Sequence, residues 1–69
     1  MQAWRGTVQS FDAERGLGVV RDSQGSDYPF HCTQIAGGLR TISVGASVGF
    51  GLAPGALGEW EATAVEELD

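Results

Sequence analysis

Sixty-nine residues suffice for one small domain, 1–69, and leave no room for a second. Four arginines, no lysine and nine carboxylates give a net charge of −5, which argues against a chain that coats nucleic acid by charge alone but does not forbid a local basic face. The apolar runs are too short to span a bilayer, and the N-terminus lacks a basic-then-apolar export pattern, so the expectation is a cytoplasmic protein with no membrane partner. A lone Cys32 cannot form an internal disulfide, and one Cys with one His is not a metal-ligand cluster. Neither metal nor cofactor is expected.

No helical apolar period is sustained over three turns, and eleven glycines punctuate the chain, so it reads as short strands and turns. The first predicted strand is Trp4 to Phe11. A turn over Asp12 to Gly16 follows, with Gly16 as its positive-φ residue. The second strand is Leu17 to Arg21, ended by the turn formers Asp22-Ser23-Gln24-Gly25-Ser26. The third, Tyr28 to Cys32, contains Pro29, whose missing N–H demands an edge or a bulge. Thr33 to Gly45 is irregular, with one short helical turn near Gln34 and Ile35. The fourth strand spans Ser47 to Leu52, where Val48, Phe50 and Leu52 alternate with glycine. A loop over Ala53 to Gly58 leads to the fifth strand, Glu59 to about Glu66. Five short antiparallel strands with a long third connection suit a small closed barrel, which removes exposed sheet edges.

Arg15-Gly16-Leu17-Gly18-Val19-Val20, then Tyr28-Pro29-Phe30-His31-Cys32, then Val44-Gly45-Ala46-Ser47-Val48-Gly49-Phe50 stay in ordered register with the motifs of one family. Over roughly residues 5 to 66 the chain resembles the bacterial cold-shock domain; only the stretch from Gly58 to Ala62 matches loosely, with one extra residue. The resemblance implies an all-β fold, a five-stranded antiparallel OB-type barrel. It also implies single-stranded RNA or DNA as partner, bound by aromatic rings on the outer face of strands one to three. Small family members are often acidic and still bind single strands.

Strand alternation puts Leu17 and Val19 on one face of the second strand, with Gly18 and Val20 facing the core. On the third, Pro29 and His31 share a face and Phe30 is core. Against the family pattern, Leu17, Val19, Pro29 and Cys32 stand where phenylalanines are usual. Ser10 replaces a tryptophan and Gln9 a lysine. Phe11, Arg15 and His31 remain. Stacking is worth roughly 1–3 kcal/mol per base, so losing three rings removes roughly 3–9 kcal/mol of gross interaction.

Each candidate has a plainer reading. His31 stacks or bonds a phosphate, or is an ordinary surface histidine. Arg15 contacts a phosphate, or is neutralised by Asp12 and Glu14. Phe11 reads better as half-buried at the barrel rim than as a free ring. Trp4 and Trp60 read better as packing that replaces lost core than as a new contact surface. Cys32 reads as a passive thiol, and Glu66 to Asp69 as a solvated end. No nucleophile–base–orienter set is present, and Gly16-x-Gly18 is too short for a dinucleotide fingerprint, so no catalysis is expected. Two functions remain. The first, preferred, is a weak single-strand binder using Phe11, Arg15 and His31 beside an aliphatic platform of Leu17, Val19 and Pro29. The second reuses the fold as a protein-interaction or homodimer surface on the Leu17/Val19/Pro29 face.

Overall fold

The computed structural model describes residues 4–55 and 58–68. Five strands run in one antiparallel sheet: β1 Trp4–Asp12, β2 Leu17–Asp22, β3 Asp27–His31, β4 Ser47–Pro54 and β5 Trp60–Glu67, in the order β3-β2-β1-β4-β5. β3 ends one residue earlier than expected: Cys32 opens a 3₁₀ turn, Cys32–Gln34, followed by a second over Ala36–Gly38. β4 runs on through Ala53 and Pro54, the start of the expected loop, of which Ala56 and Leu57 lie outside the described residues.

The two early turns form for the reasons their residues suggest. Asp12 Oδ1 accepts the amides of Glu14 and Arg15 at 3.1 and 3.2 Å, and Gly16 follows at φ 66°, where a side chain is strained. Asp22 Oδ1 accepts the amides of Gln24 and Ser26, both at 2.9 Å, while its Oδ2 accepts the Tyr28 hydroxyl at 3.1 Å. Pro29 sits opposite Val19 on β3, the strand that ends the ladder, as a residue without an N–H requires.

Val8, Val20, Phe30, Ile35, Val48, Phe50, Ala62 and Val65 form the core. Two irregularities curl the sheet around them. On β1, Val8 pairs with Val20 and Ser10 with Val19, so Gln9 is an extra residue. This bulge shifts the strand's phase by one: Val8 and Phe11 both turn inward, and Ser10 joins Val19 on the outer face. On β5, Ala64 and Val65 stand opposite Phe50 between the Gly49–Glu66 and Gly51–Thr63 pairs, and Ala64 takes φ 47°. That kink carries Val65 into the core and into a parallel bridge with Ile35, where the Ala64 amide donates to Gln34 Oε1 at 3.3 Å. The segment after β3 thereby meets β5 and closes the barrel.

Trp4 and Trp60 do not pack as expected; they are 43% and 56% exposed. Trp4 pairs with Phe50 and Trp60 with Pro54, but each is the first residue of its strand, where coverage by neighbouring strands ends. The C-terminal segment is also less free than expected. Glu66 and Glu67 belong to β5, and the Leu68 amide donates to Ser47 O at 2.7 Å; Asp69 lies outside the described residues.

Candidate nucleic-acid interface

Because β1, β2 and β3 are consecutive neighbours, their outward residues form one surface. Leu17 lies across from His31, Val19 from Pro29 and Ser10 from Val19. Leu17 is 41% exposed, whereas Gly18 and Val20 between and beyond are buried, so the alternation read from the sequence holds. An open groove of about 610 Å³ gathers Phe11, Arg15, Leu17, Val19, Pro29 and His31. All six sequence candidates line this one depression.

The aromatic content of the groove is low and partly spoken for. Phe11 is half-buried, and its ring stacks on Phe30 at a centroid distance of 6.0 Å and 16° between planes. Phe30 itself is 2% exposed. Apart from His31 at the end of β3, the surface that β2 and β3 present to the groove is aliphatic: Leu17, Val19 and Pro29.

His31 is held by its own turn. It is the N-cap of the first 3₁₀ turn, and its Nδ1 accepts the Thr33 amide at 3.2 Å with the Thr33 hydroxyl 2.9 Å away. An amide can only donate, so in the neutral ring the proton is carried by Nε2. His31 is thus both an exposed ring in the groove and a structural cap.

Among the described residues the one ion pair is Arg21–Asp27, cross-strand partners on β2 and β3 with Nε–Oδ1 at 2.7 Å and Nη2–Oδ2 at 3.1 Å. The hydrogen bond to Arg21, and then its charge, hold the Asp27 carboxyl below its ordinary range. Arg15 has no such partner: Asp12 binds the Arg15 amide rather than its guanidinium. Neutralisation of Arg15 by a direct Asp12 or Glu14 pair is therefore not what the structure contains.

The sequence reading missed Glu61. It comes from β5 and stands on the groove wall with Ser10 and Asp12. Nothing local in the sequence marks it, because its place depends on how β5 wraps back towards β3. Asp12 and Glu61 together outweigh Arg15, which makes this groove slightly acidic.

The family model described as the 'Cold-shock' DNA-binding domain matches residues 4–68. The chain belongs to the cold-shock domain family. No match is found among the curated proteins. Cold-shock domains are non-enzymatic modules that bind single-stranded nucleic acid, so the groove on β1 to β3 is the face of this cold-shock domain to weigh for that role. No helix among the described residues is long and apolar enough to cross a membrane.

Proposed function

We propose that this cold-shock domain binds single-stranded RNA or DNA weakly, through a platform that is aliphatic where stacking rings are usual. The observation that carries this reading is the single groove shared by Phe11, Arg15, Leu17, Val19, Pro29 and His31. Leu17, Val19 and Pro29 offer bases apolar contact without π-stacking, while His31 presents a ring and Arg15 a guanidinium with no ion pair among the described residues. Each stacked ring is worth roughly 1–3 kcal/mol, so the platform retains a fraction of the affinity an aromatic one supplies.

The test is fluorescence anisotropy of labelled pyrimidine-rich and mixed strands at low salt, repeated at high salt. Saturable binding that weakens with salt and is lost in Val19→Glu supports the reading. His31→Asn is a better probe than His31→Ala, since Asn preserves an N-cap acceptor. Absence of saturable binding at high protein concentration overturns the proposal.

A second reading draws on the exposed Leu17 beside Val19 and Pro29, an apolar strip able to dock a protein partner. The net charge of −5 opposes a homodimer, so the partner's contact is apolar and made by a different chain. Docking of this kind persists or strengthens in high salt, which separates it from strand binding.

A further inference from the structure

A second cleft, of about 430 Å³, adjoins the groove on the far side of Arg15 and is walled by Arg15, Thr33, Arg40 and Glu14. Arg15 lines both depressions. Neither Arg15 nor Arg40 forms an ion pair among the described residues, whereas Arg21 is locked to Asp27. The charge is therefore divided across Arg15. On the groove side Asp12 and Glu61 oppose one arginine, and on the cleft side two arginines oppose Glu14. On a chain of net charge −5, this is a local reversal of sign.

We propose that the Arg15–Arg40 cleft is a phosphate site, taking the backbone of a strand whose bases lie on Leu17 and Val19; this rests on the strand-binding reading above. A phosphodiester laid along the groove itself would face Asp12 and Glu61 and be repelled. The same chain turned across Arg15 meets two guanidiniums, each able to donate two parallel hydrogen bonds to phosphate oxygens. Thr33 adds a hydroxyl to the same wall. Bases and phosphates are thereby sorted into adjacent depressions, and affinity shifts from stacking to backbone charge.

The experiment is chemical-shift mapping of the ¹⁵N-labelled protein with oligothymidylate and, separately, tripolyphosphate, beside anisotropy titrations of wild type, Arg40→Gln and Arg5→Gln across a salt series. Arg40 and Arg5 are both exposed, and Arg5 lines neither depression. The expected result is that the oligonucleotide shifts amides in both depressions and tripolyphosphate shifts only those of the cleft. Arg40→Gln then weakens strand binding about eightfold at ~0.05 M salt and lowers the log–log salt slope by about 0.7, while Arg5→Gln changes neither as much. Strand shifts confined to the groove, with an unchanged slope in Arg40→Gln, overturn the phosphate site and leave the strand-binding function standing. Cleft shifts with tripolyphosphate but none with any strand overturn the assignment to a strand backbone and the strand-binding function together. A free phosphate chain is then the ligand.

Discussion

Phe11 and Phe30 lie on strands that are not neighbours, yet their rings stack at 6.0 Å because Gly18, the residue between them on β2, has no side chain. Phe11 pairs with Gly18 and Gly18 with Phe30, so the three form one row across the sheet. A Cβ on Gly18 would fall 2.5 Å from Phe30 Cζ and 2.9 Å from the Ser10 carbonyl oxygen. The ring could shift; the backbone oxygen cannot without moving β1.

Gly18→Ala is therefore expected to destabilise the protein towards the upper end of the overpacking range, about 2–3 kcal/mol. In a domain of this size that is a fall of roughly 10–20 °C in Tm. Urea unfolding followed by tryptophan fluorescence measures it. A change below about 0.5 kcal/mol would mean that the Phe11–Gly18–Phe30 row is not tightly packed.

Ala64 gives the opposite prediction. Its φ of 47° lies in the left-handed region, which costs an L-residue roughly 1–2 kcal/mol. Glycine removes that cost but adds chain entropy to the unfolded state, about 0.5–1 kcal/mol. Ala64→Gly is expected to stabilise by about 0.5–1 kcal/mol, raising Tm by roughly 2–8 °C. Loss of stability would show that the β5 kink does not hold Ala64 in this conformation.

These two residues mark the boundary of what the sequence makes legible. Turn chemistry was readable: Asp12 to Gly16 and Asp22 to Ser26 each contain their own hydrogen-bond acceptor and a glycine, so the ends of β1, β2 and β3 fall close to where local rules put them. The faces of β2 and β3 were readable from apolar alternation. The bulge at Gln9 was not, because Thr7, Gln9 and Ser10 are all polar and no hydrophobic pattern favours one phase. Glu61 and the exposed tryptophans were missed for a related reason. Glu61 reaches the groove wall through barrel closure at Ile35 and Val65, thirty residues apart in the chain, and each tryptophan is exposed as the first residue of its strand.

Acid should unfold the protein partly through the turn between β2 and β3. The Ser26 amide, with further donors from Gln24, Tyr28 and Gly25, holds the Asp22 carboxyl below its ordinary range, and Arg21 does the same for Asp27. A carboxyl lowered in the folded state contributes stability above its unfolded pKa of about 4 and loses it as pH falls through the folded value. Stability is expected to hold from neutrality down to about pH 5 and then decline. Asp22→Ala should be less stable at neutral pH and decline less steeply in acid. Equal acid slopes in wild type and variant would remove Asp22 from this account.

Glu61 predicts a gain of binding. Glu61 puts a carboxylate on the groove wall beside the path of any bound strand, so removing its charge in Glu61→Gln should tighten strand binding a few-fold at low salt. The gain should vanish at high salt as the charges are screened. Its persistence there would point to a packing change instead.

The platform itself is tested by putting rings back. Leu17 and Val19 are neighbours on the outward face of β2, with His31 and Pro29 across from them, so Phe at both positions adds two stacking surfaces to the groove without touching the core side of the strand. Each ring is worth roughly 1–3 kcal/mol of stacking, or about five- to 150-fold in affinity. Leu17→Phe combined with Val19→Phe is therefore expected to tighten strand binding by at least about 25-fold. Val44→Phe adds an aromatic ring at an exposed position that lines neither the groove nor the cleft, and should leave affinity unchanged. Anisotropy titrations of the three proteins decide the matter. If the double variant folds and binds no better than wild type, bases do not lie on β2, and the groove serves something other than a nucleic-acid strand.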